Sequence, residues 1–235
     1  MTTIISITTI PDRIELIEEC IKSLVQQELP VYLWAVEKIA RSDTVLKRIP
    51  PFLGKLGVHV KIVEDEGPIT KLLPALRAGF DTILTADDDC TYDERWAPGL
   101  IAWSKKLPGA AIGYRGRRLL IGKGYKNSHL VLKSRITKPV LVHVITAVYG
   151  ALYKKEFFDD GIFEEYKLWP MNDDLVISAH LKRRKVPRYV VPVGTKIVDC
   201  KTRNIAPLFG FNTQGVRHND KGLKVLGLIP KKPTK

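Results

Sequence analysis

Short apolar runs alternate with amphipathic segments through the first half of the chain. The apolar runs are rich in β-branched residues and predict strands at residues 4–9, 31–36, 58–63 and 82–86, of which 58–63 alternates and 82–86 is expected to be buried. Residues 14–24 and 70–78 instead repeat apolar side chains every three or four positions, which predicts helices. Strands alternating with helices predict an α/β domain with a mostly parallel sheet. In such a sheet, ligands bind beyond the carboxyl ends of the strands.

The second half of the chain has a less regular pattern. Helical spacing predicts helices over 95–106 and 173–184, and the second of these opens with acids and closes with Lys and Arg. Shorter strand-like pieces lie at 110–114, 118–122 and 129–132, followed by a long apolar run at 140–148. We therefore predict one domain over residues 1–220 with a smaller mixed region. The basic tail at 221–235 is expected to be partly disordered.

The composition narrows the class of protein. The 235 residues include 38 Lys and Arg against 25 Asp and Glu, a formal charge of +13, which suits nucleic acid, an anionic membrane face or anionic small substrates. Three widely spaced cysteines without a C-x-x-C pair favour a reducing compartment. No apolar run approaches the roughly 20 residues of a membrane span, and the first residues lack a basic signal-peptide region. We expect a cytoplasmic protein without a transmembrane segment, with peripheral membrane contact left open.

The apolar run at 82–86 stops abruptly at three carboxylates, Asp87, Asp88 and Asp89. Because side chains alternate along a strand, Asp87 and Asp89 are expected to point the same way. Carboxylate oxygens suit Mg²⁺ or Mn²⁺, and such an ion keeps positions open for the phosphates of a nucleotide. A solvated acidic turn is the alternative, which the preceding apolar run makes less favourable.

A second acidic pair, Asp173 and Asp174, opens a predicted helix. Asn172 or Asp173 can serve as its N-cap. Two adjacent acids exceed what a cap needs, and a carboxylate within hydrogen-bond reach can take a proton from an attacking hydroxyl. Later in the chain, His218 can bind Mn²⁺ through its neutral imidazole and complete a metal site with Asp89. A purely structural histidine is the equal alternative.

Polar residues also follow the first and third predicted strands, where a doubly wound sheet binds nucleotides. They are Thr8, Thr9, Pro11 and Arg13 after the first strand, and Asp65 and Lys71 after the third. Arg13 can hold a phosphate or stack on a base, Asp65 can accept hydrogen bonds from base or ribose, and Lys71 can neutralise phosphate. The arginines at 115–118 can contact a diphosphate or an anionic acceptor, or form a solvated edge.

Taken in order, these motifs resemble those of GT-A glycosyltransferases, specifically the family-2-like inverting enzymes. The matching segments span about residues 4–220 and are Ser6–Arg13, Gly67–Lys71, Ala86–Asp89, Thr146–Tyr153, Asn172–Asp174 and His218. The chain is also similar to a glycosyltransferase domain of large DNA viruses. A DxD motif alone is common, whereas the ordered series is more specific. The resemblance implies an α/β fold of the GT-A, Rossmann-like type.

The resemblance also implies a role for each matching position. A nucleotide sugar would contact Thr8, Thr9, Pro11, Arg13, Asp65, Lys71, Asp87 and Asp88, with Asp87 at the ribose. Asp89 and His218 would bind Mn²⁺ or Mg²⁺ bridging the donor diphosphate. Asp174, or Asp173 as second choice, would deprotonate the acceptor hydroxyl for a single displacement with inversion. The Glu-Asp pair expected in the family reads Asp-Asp here, so the choice of base stays open.

The implied donor is a UDP-sugar, with a GDP-sugar second, and the implied acceptor is a glycan or another hydroxyl compound. Two other classes fit part of the sequence. Asp87 to Thr91 also matches the D-x-D-x-T motif of haloacid-dehalogenase-type phosphatases, with Asp87 as nucleophile, Asp89 as general acid and Asp173 and Asp174 as metal ligands. That motif normally follows the first strand, whereas three predicted strands precede it here. A non-enzymatic nucleic-acid binder would explain the charge, but no binding motif appears, so we expect no nucleic-acid partner.

Overall fold

The computed structural model describes residues 2–39, 44–206 and 218–229. The strands within these ranges are β1 (Thr3–Thr9), β2 (Val31–Val36), β3 (His59–Val63), β4 (Thr82–Ala86), β5 (Cys90–Tyr92), β6 (Ala111–Gly113), β7 (Arg115–Arg118), β8 (His129–Leu132), β9 (Val140–Leu141), β10 (Val144–Ile145), β11 (Ala151–Lys154), β12 (Arg188–Val190) and β13 (Ile197–Asp199). The helices are α1 (Glu18–Val25), α2 (Pro51–Lys55), α3 (Leu73–Arg77), α4 (Trp96–Lys106), α5 (Ile162–Leu168), α6 (Asp173–Arg183) and α7 (His218–Val225). No helix in these ranges is long and apolar enough to cross a membrane.

Eight of these strands form one mixed sheet in the order β3-β2-β1-β4-β11-β6-β12-β9. The strands β1 to β4 run parallel, β6 and β12 share their direction, and β11 and β9 run against them. The α/β class and the mostly parallel sheet are therefore confirmed. Two small antiparallel sheets, β10-β7-β8 and β13-β5, make up the mixed region outside the main sheet.

Two groups of apolar side chains cover the faces of the main sheet. Along β1, Ile5 and Ile7 belong to the core on the side of α1 and α4, whereas Ile4 belongs to the core on the side of α3 and α6. This alternation follows from the period of two in a strand. All three isoleucines are at most 2% exposed, and each buried side chain of this kind contributes about 1.5–3 kcal/mol. Burial on both faces explains the nearly continuous apolar runs in the sequence.

Four predicted elements differ from the structure. The helix expected over 70–78 is divided into a 3₁₀ turn at Gly67–Lys71 and α3. The helix expected over 14–24 is divided into a 3₁₀ turn at Ile14–Leu16 and α1. The strand expected at 118–122 instead ends at Arg118, because the Leu119 amide donates to Nδ1 of His143 (3.0 Å) and not to a strand. The same use of His143 interrupts the apolar run at 140–148, which forms only β9 and β10.

Helix α7 crosses residue 220, where the sequence places the start of a tail. Leu223 and Leu228 are 4% and 1% exposed and pack in a cluster with Leu119 and Leu175. Lys182 also donates to the carbonyl of Gly227. Residues 221–229 thus pack on the body of the protein, and residues 230–235 lie outside the described ranges.

Candidate active site

Lys71 lies between acidic residues at the carboxyl end of β4 and the start of α6. Its Nζ is 2.7 Å from Oδ1 of Asp87 and 3.0 Å from Oδ2 of Asp173, and the residue is 6% exposed. Strand β1 helps to position it, because Ser6 Oγ donates to the Lys71 carbonyl (2.5 Å). We call Lys71, Asp87, Asp173 and Asp174 the Lys71 cluster. It joins two motifs that are about ninety residues apart in the chain.

The Lys71 cluster has one cation for three carboxyl groups. Burial raises the pKa of Asp87, and Lys71 limits the rise. Burial and the charge of Asp173 raise the pKa of Asp174 to about 7, again against the effect of Lys71. Burial alone would lower the pKa of Lys71, but Asp173 and Asp87 outweigh it and raise that pKa. A carboxyl group with a pKa near 7 can accept a proton at neutral pH, as a general base must.

The start of α6 fixes the acidic pair. Asn172 is the N-cap, since its Oδ1 accepts a hydrogen bond from the Leu175 amide (3.1 Å). Both acids are therefore free of the capping role that was one interpretation of Asp173. Oδ1 of Asp174 accepts from the Ala147 amide (2.8 Å), which ties the carboxyl group to the segment after β10. Oδ2 of Asp173 is buried and has no hydrogen bond in the described ranges, although it forms the ion pair with Lys71.

The middle one of the three consecutive acids has partners of its own. Strand β4 ends at Ala86, and the charge of Asp89 contributes to raising the pKa of Asp87, so a common direction for these two side chains stays a prediction. Asp88 is 6% exposed, and its oxygens accept from Thr9 Oγ1 (2.7 Å) and Arg13 Nη1 (2.5 Å). Arg13 also donates to the Ile205 carbonyl through Nε (3.0 Å) and Nη2 (2.8 Å). The structure thus brings together three predicted nucleotide ligands, Thr9, Arg13 and Asp88, and they form hydrogen bonds with one another.

The other predicted nucleotide ligands lie at the ends of β1 and β3. Thr8 Oγ1 donates to the Trp34 carbonyl (2.9 Å), and Pro11 lies half-buried in the turn after β1. Asp65 Oδ1 accepts from the Gly67 amide (2.8 Å). Gly67 has φ +77°, and a Cβ there would lie 2.5 Å from a backbone oxygen, so this turn requires glycine. Nucleotide contact by these residues stays a prediction.

The two predicted metal ligands lie beside different elements. The Asp89 carbonyl accepts from the Cys200 amide (2.7 Å), and its Oδ1 is 3.5 Å from Cys90 Sγ. His218 begins α7, with its ring centroid 4.4 Å from that of Trp169. In the part of the chain that the structure describes, no three His, Cys, Asp or Glu side chains are grouped as metal ligands. A carboxylate oxygen and a neutral imidazole are ligands that suit Mn²⁺, and the metal site with Asp89 and His218 stays a prediction.

Sequence reasoning missed several residues that support the site. Tyr92 Oη accepts from the Asp87 amide (2.9 Å) and donates to the Asp87 carbonyl (3.1 Å). Thr202 Oγ1 donates to the Asp88 carbonyl (3.1 Å). Asn219 Oδ1 accepts from Asn172 Nδ2 (2.7 Å) and so connects α7 to the start of α6. None of these residues lies in a motif, and only the tertiary fold brings them to the site.

The fold is similar to that of solved glycosyltransferase structures. One is S. aureus TarS residues 1–349, a GT-A-type glycosyltransferase, with TM-score 0.58 and 14% sequence identity over 97% of this chain and 70% of that chain. A second TarS structure has TM-score 0.51 and 16% identity over 82% of this chain and 37% of that chain. At these identities the comparison establishes the glycosyltransferase fold alone. No family model matches the chain, and no curated protein is detectably similar in sequence. The likeness to viral domains stays a prediction.

Proposed function

We propose that the protein transfers a sugar from a nucleotide-diphosphate sugar to a hydroxyl acceptor. The observation that carries the proposal is the Lys71 cluster, which lies at the carboxyl ends of parallel strands in a glycosyltransferase fold. Ligands bind at this edge in α/β sheets. The phosphatase interpretation of Asp87 is less well supported, because the solved structures reported above are glycosyltransferases.

Asp174 is the proposed base. Its pKa of about 7 and the hydrogen bond from Ala147 give a carboxylate that can take the proton of an acceptor hydroxyl while held in place. The oxygen of the acceptor then attacks the anomeric carbon, the bond to the diphosphate breaks, and the configuration inverts. Asp173, which lies 3.0 Å from Lys71, adds to burial in raising the pKa of Asp174 and so the proton affinity of the base.

The donor is proposed to lie along the ends of β1, β3 and β4. Its nucleoside, with UDP favoured and GDP second, would contact residues at these strand ends, namely Thr8, Thr9, Pro11, Arg13, Asp65, Asp87 and Asp88. Lys71 lies between the donor side and the base. Mn²⁺ or Mg²⁺, held by Asp89 and His218, would stabilise the negative charge of the departing diphosphate. The acceptor is proposed to be a glycan or another hydroxyl compound.

The test combines a binding measurement with a transfer assay. A panel of nucleotide sugars is screened by thermal shift with and without Mn²⁺, because a ligand that binds the folded state raises the melting temperature. Asp174→Asn keeps an oxygen for the Ala147 amide but cannot take a proton, so we expect nucleotide binding to persist and transfer to fall by roughly a thousandfold or more. Asp160→Asn, at an exposed position, is the matched control.

Two results would contradict the proposal. One is the absence of any shift with every nucleotide sugar in a folded sample. The other is full transferase activity in both Asp174→Asn and Asp89→Ala, which would remove the assigned site. A shift that requires Mn²⁺ and disappears in Asp89→Ala would support the metal assignment separately from the base.

A further inference from the structure

The net positive charge of the chain arises in one segment. Residues 95–155 contain 13 of the 38 Lys and Arg residues and none of the 25 Asp and Glu residues. Outside this segment, Lys and Arg are balanced by an equal number of Asp and Glu, so the whole net charge of +13 arises within it. The segment contains β6 to β11, and hence all of the small sheet β10-β7-β8.

A run of cations within this segment has no acidic partner, unlike several arginines elsewhere in the described chain. Arg13 pairs with Asp88, Arg77 with Glu66, and Arg184 with Asp159. In contrast, no Lys or Arg from Lys105 to Lys138 forms an ion pair with a described residue. Cations left without acidic partners attract anions in solution.

Arg115 and Arg117 share one face of the small sheet. They lie opposite Leu132 and Leu130 on β8, and Arg117 also lies opposite the buried Val144 on β10. Because alternate residues face opposite sides of a strand, Gly116 between them faces the other side, where it packs against buried valine side chains. Both side chains are half-buried and not freely extended into solvent.

Neighbouring groups hold both guanidinium groups in place. Arg117 Nη1 donates to Ser128 Oγ (3.0 Å), and its guanidinium lies 4.6 Å from the centroid of the Tyr125 ring. Arg115 Nη1 reaches Thr146 Oγ1 (3.5 Å). Oriented guanidinium groups suit phosphate or carboxylate oxygens, because the planar fork can donate two parallel hydrogen bonds.

This arginine face adjoins the proposed base. Thr146, which contacts Arg115, precedes Ala147, whose amide donates to Asp174. Tyr125, beneath Arg117, lies near enough to the base that the Asp174 charge adds to burial in raising the Tyr125 pKa. An acceptor with its hydroxyl at Asp174 would therefore extend over Arg115 and Arg117.

We propose that the acceptor is a hydroxyl-bearing polyanion whose phosphate or carboxylate groups bind Arg115 and Arg117. The inference rests on the proposed function, because it assigns the acceptor of that same site. A membrane surface is disfavoured as the partner of these two arginines. They are half-buried and fixed by Thr146, Ser128 and Tyr125, whereas a membrane contact uses side chains that project into the lipid headgroups.

The experiment measures the affinity of the full chain for linear polyphosphate by titration calorimetry. The test variant is Arg115→Gln with Arg117→Gln. The matched control is Lys105→Gln with Lys106→Gln, which removes the same charge from two exposed lysines at the end of α4 that form no ion pair with a described residue. We expect polyphosphate binding to weaken roughly tenfold or more in the arginine variant and by no more than about twofold in the control. Arg115→Lys with Arg117→Lys keeps the charge and removes the fork, and we expect an intermediate loss.

Two parallel measurements separate the possible failures. Thermal shift with the nucleotide sugar is expected to be the same in all variants, and a wild-type protein that binds no nucleotide sugar would count against the proposed function. Equal loss of polyphosphate affinity in the arginine and lysine variants would overturn this inference and leave the proposed function intact. In that case, the net charge of the protein would explain the binding without a specific site. Binding to phosphatidylglycerol vesicles that depends on Arg115 and Arg117, without polyphosphate binding, would also overturn it.

Discussion

Replacing Lys71 tests the electrostatic account of the site most directly. Lys71→Met keeps the length of the side chain and removes the cation that lies 2.7 Å from Asp87 and 3.0 Å from Asp173. Methionine fills the space of the aliphatic stem, so little cavity is created. The substitution leaves the carboxyl groups of the cluster without their cation in a largely buried setting. Removing one partner of a buried ion pair costs about 3–5 kcal/mol of unfolding free energy.

A matched substitution sets the scale of the effect. Lys22→Met removes a cation that lies 2.8 Å from Glu18, but this pair is on the surface, with side chains 58% and 47% exposed. Water screens such a pair, and an i,i+4 contact on a helix contributes about 0.3–0.5 kcal/mol. The two variants remove the same charge from pairs of similar length. The difference between the unfolding free energies of Lys71→Met and Lys22→Met therefore measures how much burial increases the contribution of the ion pair.

The effect of Lys71→Met must also depend on pH. Burial raises the pKa of Asp87, and burial with Asp173 raises that of Asp174 to about 7, while Lys71 opposes both shifts. Without Lys71 these values rise further. A carboxyl group with a raised folded-state pKa stabilises the fold below its unfolded pKa, and this stabilisation is lost as pH rises through the folded pKa. The loss of unfolding free energy in Lys71→Met, relative to the wild type, should be largest above pH 7 and should become smaller towards about pH 5. It should change by up to about 1.4 kcal/mol per pH unit for each proton that the folded state binds in excess.

Urea unfolding of the wild type and both variants at several pH values provides the measurement, with comparable m-values required for the comparison. Two results would refute the reasoning. If Lys71→Met were no less stable than Lys22→Met at neutral pH, the ion pairs would not carry the proposed energy. If its deficit were independent of pH, the remaining carboxyl groups would not be responsible for it.

Three further outcomes follow from the same contacts. The rate of transfer under saturating substrate should rise with pH through about 7 and then level off as Asp174 loses its proton, and a transition near the ordinary carboxyl pKa of about 4 would remove the assignment. Asn172→Ala should lower the unfolding free energy by about 1–2 kcal/mol in urea titrations, because the α6 cap is lost. Gly124→Ala should lower the melting temperature, since its Cβ would lie 2.7 Å from an Asp220 oxygen, whereas Gly109→Ala, with nothing within 4 Å, should leave it nearly unchanged.

Local pattern was sufficient for the parallel half of the sheet. Strands β1, β2 and β4 are buried on both faces, so each appears in the sequence as a compact β-branched run between turn residues, whereas β3 is an exposed edge strand that shows only as an alternating pattern. The α/β class predicts that ligands bind beyond the carboxyl ends of the strands, and Asp87 lies there because it directly follows β4. The acidic start of α6 was predictable for a similar reason, since its helical spacing and charge order agree.

The remaining strands gave weaker signals because tertiary contacts determine them. Strands β9 and β10 are only two residues each, and His143 separates them by bonding the Leu119 amide. Asp88 accepts hydrogen bonds from Arg13 and Thr9, which precede it in the chain by 75 and 79 residues. Sequence reasoning assigned each residue a ligand to bind and could not anticipate that they bind one another.

Charge shows the same limit of sequence reasoning in a different way. A total of +13 suggests an anionic partner without locating it, because basic residues occur throughout the chain. The absence of Asp and Glu from 95–155 locates the net charge, and the fold connects Arg115 to Asp174 through Thr146 and Ala147, whereas Lys71 lies among carboxylates. These two surroundings should respond differently to salt. Cations in contact with solvent, such as the half-buried Arg115 and Arg117, are screened within about 10 Å at 0.1 M ionic strength, whereas a buried pair such as Lys71 with Asp173 is screened far less. Added salt should therefore weaken binding of a polyanionic acceptor while leaving the raised pKa of Asp174, and with it the pH dependence of transfer, nearly unchanged.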